Sequence, residues 1–247
     1  MLMAQNYKAV IQYEGCGFSG WQIQKNQPTV QGELRRALRQ IASEPAIVIG
    51  SGRTDSGVHA EGQVASFRLE RPLDPVRLQS ALNGILPEAI RVLRLSRVRA
   101  DFHAQFSARQ KVYWYRLWNA PVMHPFWRRF ALHVPGTLDL EAMARAARLL
   151  VGSHDFHAFA AASTTAGTFE RRVTVSRLIG RRPMVVYQIQ ADGFLHHMVR
   201  NIVGTLLLVA KGKLPVAAVR RILRSRDRRQ AGPTAPPHGL ALKRVIY

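Results

Sequence analysis

The order in which two hydrophobic periods follow one another limits the fold of this chain more than any other feature. Tyr7 to Tyr13 alternates with Val and Ile as a strand does, and the Gly-rich segment Glu14 to Gly20 interrupts it. Val30, Leu34, Ala37, Leu38 and Ile41 then recur at helical spacing behind a capping residue, Thr29. Ala46 to Ile49 and Gln63 to Leu69 read as two further strands, separated by the polar loop Ser51 to Gly62. Asp74 and Pro75 supply the cap and first residue of a second helix, with Leu78, Ala81, Leu82 and Ile85 turned inward. Ile90 to Val98 closes the series as a strand. The order β-α-β-β-α-β is that of the split βαβ, ferredoxin-like unit.

The second half repeats the pattern. Lys111 to Asn119 is an aromatic strand, and Asp139 to Val151 a helix with Leu140, Met143, Ala144 and Ala147 inward. Val173 to Leu178 pairs with Met184 to Ala191, Leu195 to Lys211 is a long helix, Val216 to Arg224 a shorter one, and Leu240 to Ile246 a final strand. The expected class is α+β: two ferredoxin-like halves, residues 1–105 and 106–247, with a central, mostly antiparallel sheet flanked by helices.

With 247 residues, 47% of them hydrophobic, the chain can bury a real core. Its 36 Lys and Arg against 15 Asp and Glu give a formal charge of +21, a surface that attracts polyanions. Part of that excess is arginine on solvated faces. A membrane is the weaker partner, because Ile202 to Ala210, the longest apolar candidate, falls far short of the roughly 20 residues a spanning helix needs. Met1 to Val10 lacks the pattern of a secretory signal and Cys16 is the sole cysteine, so a reducing cytoplasm is the expected compartment.

Two motifs fail on context. Gly15-Cys16-Gly17-Phe18-Ser19-Gly20 matches G-x-G-x-x-G after a strand, but no helix opens directly behind it and no acidic residue answers it about 20 positions on. His59-Ala60-Glu61 matches half of the zinc-deaminase signature, and one cysteine cannot supply the other half. His154, His157, His196 and His197 lack companions at zinc spacing, so neither a metal nor a cofactor is expected.

Gly52-Arg53-Thr54-Asp55-Ser56-Gly57-Val58-His59-Ala60 places a carboxylate between two glycines and beside an arginine. Glycines allow close approach of a bulky ligand, and Arg53 offers five donors to phosphate or to a base edge. By itself the nonapeptide reads equally well as an aspartate hydrogen-bonded into its own turn.

The nonapeptide closely resembles the catalytic loop of the A-type tRNA pseudouridine synthases, with Ser56 in place of the usual alanine. Further segments resemble that family in the same order: Tyr13-Glu14-Gly15 with Phe18 to Gln24, Asn83-Gly84-Ile85-Leu86-Pro87, Asp101 to Ala108, Tyr113-Trp114-Tyr115, Phe194 to Gly204, and Gly239-Leu240-Ala241-Leu242. The loop Ala162 to Arg172 matches poorly. The resemblance implies the pseudouridine synthase fold and isomerisation of uridine in the anticodon stem-loop of tRNA, at positions 38 to 40, by a homodimer whose two chains share one tRNA. It assigns the nucleophile to Asp55, the neighbouring arginine to Arg53, the active-site tyrosine to Tyr113, the cation paired with the aspartate to Arg200, and the apolar residue against uracil to Leu240. Without it, Arg200 reads as a solvated arginine on a helix face, and Tyr113 and Leu240 as core. The resemblance implies extrusion of the target uridine from folded RNA, with Arg53 filling the gap. The arginine-rich segments Arg171 to Arg182 and Arg220 to Arg229 are candidates for tracking phosphates.

Overall fold

The computed structural model of the protein describes residues 4–247, which divide into two compact units. One runs to Arg109 and includes Leu242–Tyr247; the other is Gln110–Ala241.

The first unit follows β1 (Gln5–Tyr13), α1 (Val30–Ala42), β2 (Ile49–Gly50), β3 (His59–Leu69), α2 (Pro75–Ile85) and β4 (Ile90–Val98). Its sheet is antiparallel, with β1 between β4 and β3 and with β2 against Ser66 and Ala65 of β3. That is the ferredoxin-like neighbour order. Tyr7, Ala9, Ile11 and Tyr13 point into the core, as their alternation requires, and Tyr7 stacks on Phe67 of β3 with ring centroids 5.5 Å apart. Both helices start where the caps lie: the Thr29 hydroxyl accepts from Gly32 N, and the Asp74 carboxylate accepts from Arg77 N at 2.9 Å, with Pro75 in the first turn. Residues 242–246 run beside β3, where the Lys243 carbonyl would lie 2.8 Å from a Cβ at Gly62.

Two boundaries depart from the sequence pattern. Residues 59–62, expected in the loop, are already strand, because β1 and the chain end offer backbone partners there. Ala46 and Val48 are buried as expected but lie outside any strand; the Val48 carbonyl accepts from the Gln31 side chain at 2.8 Å, and only Ile49–Gly50 reach β3.

In the second unit β5 (Gln110–Trp118) is followed by β6 (Leu132–His133), α3 (Leu140–Arg148), β7 (Gly152–Asp155), β8 (Glu170–Arg181), β9 (Met184–Ala191), α4 (Met198–Ala210) and α5 (Ala218–Ser225), and the last strand, β10 (Leu240–Ile246), begins here. The sheet order β5-β9-β8-β7 is antiparallel, and β6 adds to β5 in parallel. β6 and β7 carry too few alternating residues to be read from sequence; β7, Gly-Ser-His-Asp, is a strand because β8 pairs with it. The buried stripe of α3 is Ala142, Met143, Ala146 and Ala147, while Leu140 and Ala144 are half-buried. So many alanines leave the apolar face ambiguous, and packing on α4 selects it. α4 starts at Met198, three residues later than its pattern suggests, because His197 adopts φ 60° and turns the chain into the helix. No helix among the described residues is long and apolar enough to cross a membrane.

Candidate active site

Asp55 lies in the first unit, half-buried, on the loop between β2 and β3, and exposed Arg53 precedes it. The residue between them, Thr54, is 6% exposed and held from two sides. Its hydroxyl is 2.7 Å from the Tyr13 hydroxyl, and its carbonyl accepts from Trp21 N at 3.1 Å. Upstream, Gln63 donates to the Gly52 carbonyl at 3.0 Å and accepts from the Ser51 hydroxyl at 2.8 Å; both side chains are fully buried. Downstream, Gly57 N and the Ser56 hydroxyl both donate to the Phe18 carbonyl, each at 3.3 Å. The aspartate is thus carried on a loop tied down before and after it, which is what a reacting carboxylate requires.

The Gly-rich segment that resembles a dinucleotide loop has a different task. A Cβ at Gly15 would lie 2.1 Å from the Val58 carbonyl oxygen, and one at Gly20 2.6 Å from the Thr54 carbonyl oxygen. Gly20 has φ +92°, which side chains rarely adopt. The segment is a backbone-to-backbone support for the Asp55 loop, and Gly15 N also donates to His59 Nδ1 at 3.0 Å. That bond occupies Nδ1 of the histidine that the zinc-deaminase half-match invoked.

Burial pushes the Tyr13 hydroxyl up to about 12, with the bonds to Thr54 and Gln63 opposing, so it stays protonated at neutral pH as a donor. Thr54→Val removes the other half of this contact and leaves a buried phenol short of a partner. Stability should fall by about 1–3 kcal/mol in urea denaturation. The single-turnover rate should fall about tenfold, with RNA affinity nearly unchanged.

In the second unit, Tyr113 lies on β5, 6% exposed, edge-on to Phe194 with centroids 4.9 Å apart. Arg200 is in the first turn of α4; its Nε donates to the Ala235 carbonyl at 2.8 Å, and its own carbonyl accepts from Ala235 N at 3.1 Å. The Tyr115 hydroxyl donates to the Pro236 carbonyl at 2.8 Å, and a Cβ at Gly239 would lie 2.7 Å from the Tyr115 ring. Burial raises the Tyr115 pKa above its ordinary value, and the Arg200 charge works against that shift. Leu240, 5% exposed, follows directly at the start of β10. Tyr115 and residues 235–240 therefore link Arg200 and Leu240 into one packed region of this unit.

A sequence model described as tRNA pseudouridine synthase matches residues 9–107 and 146–247. The chain belongs to the tRNA pseudouridine synthase family. It is 43% identical over 242 residues to a tRNA pseudouridine synthase A from Moorella thermoacetica, a match covering 97% of this chain and 98% of that one. Its identity to the Syntrophomonas wolfei enzyme of the same name is 44% over 240 residues, covering 97% and 96%. The Methylacidiphilum infernorum enzyme of that name is 43% identical over 247 residues, covering 100% and 97%. These matches place the protein among the A-type enzymes, an isomerase family, and its α+β architecture is the pseudouridine synthase fold.

Within this pseudouridine synthase the arginine-rich segments divide. Arg182 donates to the Asn119 side chain and to the Leu138 carbonyl, at 2.7 and 2.6 Å. Arg226 pairs with Asp155 at 2.8 Å, and Arg229 with Asp227 at 3.0 Å. Arg228 turns inward. Arg220, Arg221 and Arg224 are exposed on α5. Two histidines are accounted for locally: His154 Nε2 is 3.1 Å from the Val151 carbonyl, and His157 stacks on Phe169 at 4.2 Å.

The supports of the Asp55 loop are the part of this candidate site that pattern reading passes over. Tyr13 counts as one more inward residue of a strand, and Thr54 as a spacer beside the aspartate. Gln63 alone carries a signal, a polar side chain directly ahead of the apolar pair Val64 and Ala65.

Proposed function

We propose that this tRNA pseudouridine synthase converts uridine to pseudouridine in the anticodon stem-loop of tRNA, with Asp55 as nucleophile. The observation that carries the reading is the Asp55 loop itself, a carboxylate on a backbone held by Thr54, Tyr13, Gln63 and the Gly15–Trp21 segment, in a chain of this family. The reaction breaks the bond from ribose C1′ to uracil N1 and makes one from C1′ to C5. As N1 leaves with the bonding pair, an Asp55 oxygen bonds to C1′. The detached uracil turns, C5 displaces the carboxylate, the C5 proton departs and N1 gains one. Atoms balance without a redox carrier or an energy source.

The remaining roles follow the family assignment. Arg200 is the cation assigned to pair with the carboxylate, since guanidinium binds carboxylate in a planar fork. Tyr113 stacks on the uracil with its hydroxyl towards the C5 proton, and Leu240 packs against the base. Arg53 fills the gap left by the extruded nucleotide. The exposed arginines of α5 offer a surface for phosphates. We propose that the protein works in the cytoplasm as a homodimer.

Incubating purified protein with total tRNA and no added cofactor, then mapping pseudouridine, tests the reading. New pseudouridine should appear in the anticodon stem-loop. Its appearance only in another arm would overturn the choice of substrate, and its absence would overturn the cofactor-free reaction. A methyltransferase acting on the same base would be stabilised against heat by saturating S-adenosylmethionine, whereas no shift is expected here.

A further inference from the structure

We propose that Arg228 is a positioning residue for the isomerisation: it locks residues 231–236 onto the first turn of α4 and so fixes the guanidinium of Arg200. The proposal rests on the role given to Arg200 above.

Sequence puts Arg228 near the end of a basic run, Arg220 to Arg229, whose obvious partner is phosphate. Its contacts say otherwise. Nη2 donates to Asn201 Oδ1 at 3.0 Å and to the Thr234 hydroxyl at 3.2 Å, while Nη1 donates to the Ala231 carbonyl at 3.3 Å. Asn201 is fully buried, and its amide nitrogen donates to the Phe159 carbonyl at 2.8 Å, which turns Oδ1 towards Arg228 as an acceptor. The Thr234 hydroxyl donates to the same Oδ1 at 2.6 Å.

Two of the three partners of Arg228 sit directly beside Arg200 or beside the residue that holds it. Asn201 follows Arg200 in α4. Thr234 precedes Ala235, whose N–H and carbonyl make the two bonds to Arg200 already described. A planar guanidinium bonded through Nε has its plane fixed by that acceptor. Fixing residues 234 and 235 against residues 200 and 201 therefore fixes the direction in which the charge of Arg200 points. Thr205 adds a further tie: its hydroxyl accepts from Gly232 N at 2.8 Å and donates to the Asn201 carbonyl at 2.9 Å. The planar fork of a guanidinium presents donors to all three acceptors from fixed positions, whereas lysine at 228 would offer a single compact charge on a flexible stem.

The test is a kinetic cycle on the full-length protein with tRNA, using Arg228→Gln, Arg228→Lys, Arg200→Lys and the double variant Arg200→Lys/Arg228→Gln. Arg228→Gln should lower the single-turnover rate at saturating tRNA about ten- to a hundredfold, with tRNA affinity changed less than about twofold and Arg228→Lys intermediate. In the Arg200→Lys background the same Arg228→Gln change should cost less than about threefold, because its effect acts through the group already altered. A full independent loss in that background would overturn the proposal. So would weakened tRNA binding with an unchanged saturated rate, the signature of a phosphate contact. If Arg200→Lys alone left the rate unchanged, the role of Arg200 would fall first and the proposal with it.

Discussion

Asp55→Asn is expected to bind tRNA about as well as the wild type and to release no tritium from C5 of labelled uracil, a loss on the order of 10⁴-fold or more. The substitution keeps the size of the side chain and leaves in place the contacts that hold the loop: the Trp21 bond to the Thr54 carbonyl, the Tyr13–Thr54 contact and the paired donors on the Phe18 carbonyl. What it removes is the negative oxygen that must bond to C1′, and a neutral amide is a poor nucleophile. Folding and RNA affinity, read by thermal denaturation and filter binding, should therefore stay near wild type while turnover stops. Normal tritium release would mean that another group does the chemistry. It would also turn the paired α+β halves into a scaffold whose aspartate only shapes a turn, the position a non-catalytic RNA-binding protein would occupy.

The second large effect is structural. Gly204→Ala should destabilise the protein by about 3 kcal/mol or more in urea denaturation, even though alanine is the better helix former. A Cβ at 204 would sit 1.7 Å from the Pro233 carbonyl oxygen, and Gly232 is pressed against the same turn, with its own Cβ position 2.7 Å from Thr205 N. Relief means moving residues 231–236 off α4, which breaks the Ala235 bonds to Arg200 and the network around Asn201. Gly84→Ala is the opposite case within a helix. It lies exposed near the end of α2 with nothing within 4 Å of its Cβ position, so it should gain about 0.5–1 kcal/mol. Equal effects of the two substitutions would show that helix propensity alone sets them.

Much of the site lies in short contiguous runs. Arg53, Thr54 and Asp55 stand side by side, so their common loop needs no tertiary information. The glycines of Gly15 to Gly20 are visible too, but a glycine pattern says only that backbone comes close to something. It names neither a phosphate nor, as here, the Thr54 and Val58 carbonyls. Arg228 shows the same limit in a charged residue: a run of arginines looks solvated or phosphate-bound until the positions of Asn201 and Thr234 are known.

The sequence by itself determined the order of strands and helices in the first unit, the start of both of its helices at Thr29 and Asp74, and the loop that carries Asp55. These depend on local periods, caps and neighbours that a chain carries with it. Tertiary structure alone decided that Gly-Ser-His-Asp at 152–155 is a strand, which face of α3 is buried, and that Tyr13 and Gln63 hold the aspartate's loop. A backbone partner, a packing face or a hydrogen-bond acceptor supplied from dozens of residues away leaves no mark on local pattern, so these features exist only once the chain has closed on itself.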